Sequence, residues 1–110
     1  MQTYYDPNDL ARFANVGDYR GDLFDAFMKW YSSVFADGAL SRREKSLIAL
    51  AVAHAVQCPY CIDSYTQESL EAGSNLEQMT EAIHVAAAIR GGASLVHGVQ
   101  ARNVAERISM

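Results

Sequence analysis

Apolar residues recur along this chain at the three- and four-residue spacings of α-helices, and no segment alternates apolar and polar residues as a strand does. The periodic stretches are separated by glycine, proline and Asp-Gly signals. The pattern predicts about six helices, over residues 6–15, 18–36, 41–56, 59–72, 74–90 and 93–107. No repeat, linker or low-complexity segment occurs between them. We therefore expect one all-α domain over residues 1–110.

Three of the predicted helices begin with capping residues. Asp6 is a predicted N-cap because a proline follows it at the first helical position. Ser41 with Glu44, and Ser74 with Glu77, match the S-x-x-E capping box, in which side chain and backbone satisfy each other reciprocally.

Glycine and proline define the predicted helix ends. The expected glycine stops are Gly17, Gly38, Gly73 and the pair Gly91-Gly92. Pro59 ends the preceding helix near residue 57 or 58, because proline disfavours α geometry at the residue before it. The same proline can be the first residue of the next helix.

Two predicted helices carry more apolar surface than one small chain easily covers. The helix over residues 41–56 has apolar residues on every side, which is typical of a buried helix. The helix over residues 74–90 is similarly rich in apolar positions, and its alanines allow helices to approach closely. The sequence therefore predicts a helical homo-oligomer.

Aromatic residues are concentrated in the helix over residues 18–36. They follow helical spacing and include Phe24, Phe27, Trp30, Tyr31 and Phe35. We interpret them as core or subunit contacts, and a ligand pocket is the alternative.

The charge balance narrows the range of functions. The chain has 9 lysines and arginines against 13 aspartates and glutamates, a net charge of −4, which argues against a nucleic-acid surface. The longest apolar run, over residues 46–56, is interrupted by a histidine and is too short to cross a membrane. Residues 1–15 are polar and do not resemble a secretory signal. We expect a cytoplasmic protein without a membrane partner.

Both cysteines of the chain lie in the motif Cys58-Pro59-Tyr60-Cys61. With Pro59 first in a helix, Cys58 is the N-cap and Cys61 lies one turn further in. Free N–H groups and the helix dipole at this end favour a thiolate, and two cysteines at this spacing can close into a disulfide. In a reducing cytoplasm such a pair is more often redox-active or metal-binding than structural, and two inert buried cysteines are the alternative.

Residues near the motif supply candidate acid–base groups. His54 precedes Cys58 by four residues and lies above it if the helix continues that far. His54 is either part of a proton relay or an ordinary core histidine, and both interpretations stay open. Tyr65 and Glu68 follow Cys61 by four and seven residues, so both lie on its face of the helix.

The stretch over residues 42–73, RREKSLIALAVAHAVQCPYCIDSYTQESLEAG, resembles the alkylhydroperoxidase D and carboxymuconolactone decarboxylase superfamily. The family pattern is a glutamate, eleven residues, C-x-x-C, three residues and a histidine, followed by a short helix ending in Ala-Gly. The wider chain, from YYDP at residues 4–7 to IRGGAS at residues 89–94, is similar to a bacterial subfamily of peroxidase-like proteins associated with arsenosugar biosynthesis.

Two positions depart from the family pattern. Ser46 stands at the position of the family's glutamate, and Tyr65 at that of its histidine. The resemblance implies that Cys61 attacks the peroxide and that Cys58 resolves the resulting sulfenate. Helix-dipole reasoning favours Cys58 as the more acidic thiol, so both assignments stay open.

The missing acid–base groups have candidate replacements within the same stretch. His54 is the best replacement base, and Tyr65 is a candidate hydrogen-bond donor to the peroxide or thiolate. Glu44 lies two positions from the family's glutamate, although helix capping accounts for it better. Glu68 is a further candidate base.

The resemblance implies a thiol-dependent peroxidase of the peroxiredoxin type, assembled as trimers or hexamers. A thiolate attacks a hydroperoxide, the second thiol converts the sulfenic acid to a disulfide, and an external dithiol or thioredoxin-like reductant restores both thiols. The cycle requires no bound cofactor or metal. The subfamily resemblance adds an expected link to arsenic metabolism.

Other interpretations of the motif assign the chain to different classes of protein. His54, Cys58 and Cys61 could bind zinc or another soft metal, with His84, His97 or a residue of another subunit as a fourth ligand. The two thiols could equally bind trivalent arsenic without any peroxidase turnover. A helical oligomer that has lost its active site is the third alternative.

Overall fold

Five helical segments form the part of the chain that the structure describes. The computed structural model describes residues 5–109, except for the side chain of Pro7, and Tyr4 of the quoted YYDP motif lies outside this range. The elements are a 3-10 segment (Pro7–Gly17), α1 (Gly21–Phe35), α2 (Arg42–Ala55), α3 (Pro59–Glu71) and α4 (Leu76–Ser109). No strand occurs between residues 5 and 109, and the all-α prediction is confirmed.

The first segment is a 3-10 helix that packs against α1. Asp6 is its N-cap as predicted, and its Oδ1 accepts the N–H of Asn8 at 2.9 Å. Gly17 closes the segment where it meets α1. A Cβ at this position would lie 2.8 Å from the Cβ of Phe24, so the close approach requires glycine.

The capping box at the start of α2 and the change of chain direction after the end of α2 were both predicted. The Ser41 hydroxyl accepts the N–H of Glu44 at 3.1 Å, and the Glu44 carboxylate accepts the N–H of Ser41 at 2.9 Å. The hydrogen bond from the Ser41 N–H lowers the pKa of Glu44. α2 ends at Ala55, and Gln57 then adopts a φ of 57°, a conformation uncommon for a residue other than glycine, which redirects the chain into α3.

The predicted cap at the start of α4 is wrong by one residue. Gly73 ends α3 with a φ of 96°, as expected. The N–H of Ser74 then bonds back to a carbonyl of α3 at 2.9 Å, so Ser74 still belongs to the end of that helix. The capping box is therefore formed by Asn75 and Gln78 instead of Ser74 and Glu77, through reciprocal hydrogen bonds of 2.8 and 3.0 Å.

The predicted break at Gly91-Gly92 is also wrong, because α4 is one helix of 34 residues. Glycine in a helix interior costs about 1 kcal/mol relative to alanine, but it keeps the N–H that the helix needs. Neither a proline nor a capping side chain accompanies the two glycines as a further signal to end the helix. The two predicted C-terminal helices are therefore continuous.

α2 lies at the centre of the molecule and packs against both α3 and α4. The buried apolar side chains among residues 5–109 are Leu50, Ala53, Met79 and Ala86. The hydroxyl of Ser69 on α3 donates to the carbonyl of Ser46 on α2 at 3.3 Å, within the same interior. This packing fixes the position of α3, which begins at the cysteines.

A large apolar surface stays uncovered by the single chain. α2 is not enclosed on every side as its composition suggested, since Ile48 and Val52 are 50% and 52% exposed, and Val56 directly after it is 65% exposed. All residues from 87 to 109 of α4 are exposed. The radius of gyration is 18.9 Å, against roughly 13 Å for a compact chain of this length. No helix in residues 5–109 is long and apolar enough to cross a membrane.

Candidate active site

The two cysteines lie at the N-terminal end of α3, as the motif predicted. Cys58 is the N-cap, and its Sγ accepts the N–H of Cys61 at 3.2 Å. The two sulfurs are joined in a disulfide, with the Cα atoms 5.2 Å apart. That separation is within the usual range for disulfides, so the local backbone brings the two thiols together without any distant element.

The disulfide lies on a cleft between the 3-10 segment, α1 and α3. The cleft has a volume of about 1270 Å³ and is lined by both cysteines. Its apolar and aromatic walls are formed by Leu10, Phe13, Val16, Phe27, Met28, Tyr31 and Tyr65. The aromatic residues of α1 therefore do not form a buried core in this chain, since α1 contains no buried residue. Two of them, Phe27 and Tyr31, line the cleft, while subunit contacts of the others stay a prediction.

Residues 5–17, here called the strap, hold one side of the cleft against α3. The Tyr5 hydroxyl donates to Asp63 of α3 at 2.7 Å, and the Tyr60 hydroxyl donates to Asp9 of the strap at 2.7 Å. The two tyrosine rings meet edge to face, with their centroids 4.7 Å apart. Because Tyr60 lies between the two cysteines, the strap is anchored directly at the disulfide.

The hydrogen bond between Tyr5 and Asp63 also shifts the pKa of both groups. The bond to Asp63 raises the pKa of Tyr5 to about 12. In the opposite sense, the Tyr5 hydroxyl and then the Gln67 amide lower the pKa of Asp63. Asp63 therefore stays a carboxylate beside the C-x-x-C turn at neutral pH.

Tyr65 lies on the cleft wall one turn beyond Cys61. Its ring stacks on Phe35 of α1, with a centroid distance of 5.2 Å and an interplanar angle of 23°. Phe35 in turn contacts Tyr31 at 4.9 Å, so the stacked rings connect α3 to α1 along the cleft. This contact orients Tyr65, the residue at the position of the family's histidine.

Glu68 also lines the cleft and is paired with Arg42. The Arg42 Nε lies 2.5 Å from Glu68 Oε1, and a second guanidinium nitrogen lies 3.8 Å from Glu71. The bond to Glu68 raises the pKa of Arg42. Burial, and secondarily the charge of Glu68, raise the pKa of Tyr31 on the facing wall. The sequence did not indicate Arg42 as a partner of this carboxylate.

His54 and Glu44 are not among the residues that line the cleft. The His54 Nδ1 lies 2.8 Å from the carbonyl of Leu50 in its own helix, so Nδ1 carries the proton when the ring is neutral. α2 ends one residue after His54, so the expected stacking of His54 above Cys58 on one continuous helix does not occur. Glu44 is engaged in the capping box. Catalytic roles for these two residues stay predictions.

Ser46, at the position of the family's glutamate, is buried between α2 and α3. Its hydroxyl donates to the carbonyl of Arg43 at 2.7 Å, and its own carbonyl accepts the hydroxyl of Ser69. This position contributes to helix packing, and the cleft lining does not include it. Among residues 5–109 there is also no group of three or more histidine, cysteine, aspartate or glutamate side chains arranged to hold a metal ion.

Most of the chain matches a known protein family. Residues 21–103 match the model of the carboxymuconolactone decarboxylase family, and the chain belongs to that family.

A curated relative, uncharacterized protein 4 in the cox locus of Paracoccus denitrificans, is 48% identical over 102 residues, covering 93% of this chain and 92% of the relative. Two solved structures have similar folds. A Methanobacterium thermoautotrophicum protein is 32% identical with a TM-score of 0.72 and covers 76% of this chain and 93% of its own. An apo carboxymuconolactone decarboxylase family protein from Legionella pneumophila is 30% identical, with a TM-score of 0.71 and 94% of each chain covered.

Proposed function

We propose that this protein is a thiol-dependent peroxidase that reduces organic hydroperoxides through Cys58 and Cys61. The observation that carries the proposal is the position of the disulfide, at a helix N-terminus and on the wall of a large apolar cleft. A purely structural disulfide needs no such cleft. Family membership supports a redox role for the pair, and the resemblance to alkylhydroperoxidase D gives the reaction class.

The cycle balances with one hydroperoxide and one external dithiol. A cysteine thiolate attacks the terminal peroxide oxygen, the O–O bond breaks, and the alkoxide leaves with a proton as the alcohol. The sulfur becomes a sulfenic acid. The second thiol displaces its hydroxyl as water and forms the disulfide. A dithiol or thioredoxin-like reductant is then oxidised to its own disulfide as it returns Cys58 and Cys61 to thiols.

The Cys61 N–H, the dipole of α3 and the Tyr65 hydroxyl assist this cycle. The Cys61 N–H and the helix dipole at Cys58 stabilise negative charge on sulfur. Tyr65 on the cleft wall is a donor for the departing oxygen. In the cytoplasm that we propose as its location, the resting form of the pair is the dithiol.

Stoichiometric oxidation of the reduced protein tests this function. One equivalent of cumene hydroperoxide is expected to consume both thiols, lower the intact mass by two hydrogens and release one equivalent of cumyl alcohol. Thiol titration, mass spectrometry and chromatography of the alcohol measure the three quantities. Disulfide formation without alcohol release, or alcohol release without thiol loss, contradicts the proposal.

We also propose that the protein works as a homo-oligomer, a trimer or hexamer, that covers the exposed half of α4. Four apolar side chains there are each more than half exposed in the single chain: Ile89, Leu95, Val96 and Val99.

Light scattering at micromolar concentration is expected to give three or six times the 12.1 kDa chain mass. Val96→Asp is expected to lower that mass, whereas the exposed substitution Arg102→Lys leaves it unchanged. A stable 12.1 kDa wild-type species contradicts the proposal.

A further inference from the structure

The cleft beside the disulfide carries an excess of negative charge. The described residues that line it include four carboxylates, Asp9, Asp63, Glu68 and Glu71, against one guanidinium, Arg12. The cleft lining alone thus has a formal excess of three negative charges. Arg42, which is not among the lining residues, offsets part of it through Glu68 and Glu71.

Two of these carboxylates are fixed close to the cysteines. Asp63 follows Cys61 by two residues and accepts hydrogen bonds from Tyr5 at 2.7 Å and from Gln67 at 3.1 Å. Asp9 is held by the hydroxyl of Tyr60, between the two cysteines, at 2.7 Å. Hydroxyl and amide donors orient a carboxylate but do not neutralise it. An anion approaching the sulfurs therefore meets oriented negative charge.

The remaining walls of the cleft favour an apolar group. Phe13, Phe27, Met28, Tyr31 and Tyr65 face the same space as the disulfide. The volume of about 1270 Å³ exceeds the roughly 300–1000 Å³ that is common for small-molecule pockets, so a bulky organic group can enter. Apolar walls with an acidic lining combine attraction for hydrocarbon with repulsion of anions.

We propose that the cleft selects hydroperoxides with a bulky apolar or aromatic group and no anionic substituent, and discriminates against carboxylate-bearing hydroperoxides. The proposal rests on the peroxidase function proposed above, and it adds the substrate class. Selection acts on the approach of the reagent to the thiolate, so it also applies to any other anionic reagent that reaches Cys58 or Cys61 through the cleft.

A matched pair of hydroperoxides measures this selection. Reduced protein is mixed with cumene hydroperoxide or with its para-carboxylate, and each rate is divided by the rate of the same reagent with mercaptoethanol. At about 10 mM ionic strength the neutral reagent is expected to be favoured by about tenfold, and at about 200 mM by only about twofold, because salt screens the cleft charges. The neutral dithiodipyridine and the dianionic dithiobis(nitrobenzoate) give the same comparison without any peroxide.

Two variants with the same change in net charge locate the effect. Glu71→Gln removes a charge from the exposed rim of the cleft and is expected to reduce the preference by about twofold at low salt. Glu81→Gln removes a charge from an exposed position on α4 that does not line the cleft, and is expected to leave the preference unchanged.

The outcomes separate this proposal from the peroxidase function. Equal normalised rates for the neutral and anionic reagents, or equal effects of Glu71→Gln and Glu81→Gln, overturn the charge selection while peroxidase turnover stands. Preference for the neutral disulfide reagent, with no reaction toward either hydroperoxide, supports the charge selection of the cleft and overturns the peroxidase function.

Discussion

Replacement of Cys61 by serine is expected to lower the steady-state rate of peroxide reduction at least about a thousandfold. In the roles that the family resemblance implies, this variant has no attacking thiolate. Cys58→Ser is expected to lose turnover as well, but by stopping one step later. Cys61 then still attacks the peroxide, and its sulfenic acid finds no second thiol. Coupled turnover assays measure the losses, and a dimedone-type probe with peptide mass spectrometry captures the sulfenic acid on Cys61.

The two variants also test which cysteine attacks the peroxide, because the positions of the two sulfurs favour the opposite assignment. Cys58 receives the N–H of Cys61 and lies at the end of the helix dipole, which favours the thiolate on Cys58. If the probe labels Cys58 in Cys61→Ser and labels nothing in Cys58→Ser, the two roles are reversed. Ser32→Ala, at an exposed position of α1 that does not line the cleft, is the matched control and is expected to keep full turnover.

The C-x-x-C turn could be predicted from the sequence because its determinants are local. Pro59 ends one helix and opens the next, so Cys58 had to become the N-cap and Cys61 the residue one turn inside. The capping box of Ser41 and Glu44 was equally local and was found. The all-α class followed from the same short-range spacings.

The strap and the charge of the cleft could not be predicted in the same way. Tyr5 and Asp63 are 58 residues apart, and Tyr60 and Asp9 are 51 apart, so no periodic pattern joins them. The pairing of Arg42 with Glu68 likewise depends on how α2 and α3 pack. Sequence spacing placed Glu68 on the same helix face as Cys61, but only the tertiary fold brings Asp9 of the strap to the same cleft.

The separation of His54 and Cys58 into different segments has a comparable origin. Its spacing from Cys58 indicated one helical turn, but spacing predicts proximity only while the helix continues. α2 ends at Ala55 and the chain turns through Gln57, so the two residues belong to different segments. The break at Pro59, itself predicted correctly, is what separates them. Tyr65 and Glu68 are on α3 with Cys61, and both line the cleft as their spacing indicated.

Leu50 is the largest fully buried side chain among residues 5–109. It is completely buried at the centre of α2, the helix that packs against both α3 and α4. The other buried apolar residues in the described part of the chain are Ala53, Met79 and Ala86. A cavity at this position therefore has few large neighbours that could move in to fill it.

Leu50→Ala is expected to lower the free energy of unfolding by about 3 kcal/mol, because it removes a fully buried side chain and leaves a cavity. Ile48→Ala, on the same helix but at a position 50% exposed in the single chain, is expected to cost less than about 1 kcal/mol in a monomeric reference state. Urea unfolding of the oxidised protein, followed by circular dichroism, measures both changes at several protein concentrations. A cost at Ile48 that equals the cost at Leu50 and grows with protein concentration indicates that Ile48 is covered by another subunit. A change below about 1 kcal/mol at Leu50 contradicts the core described here.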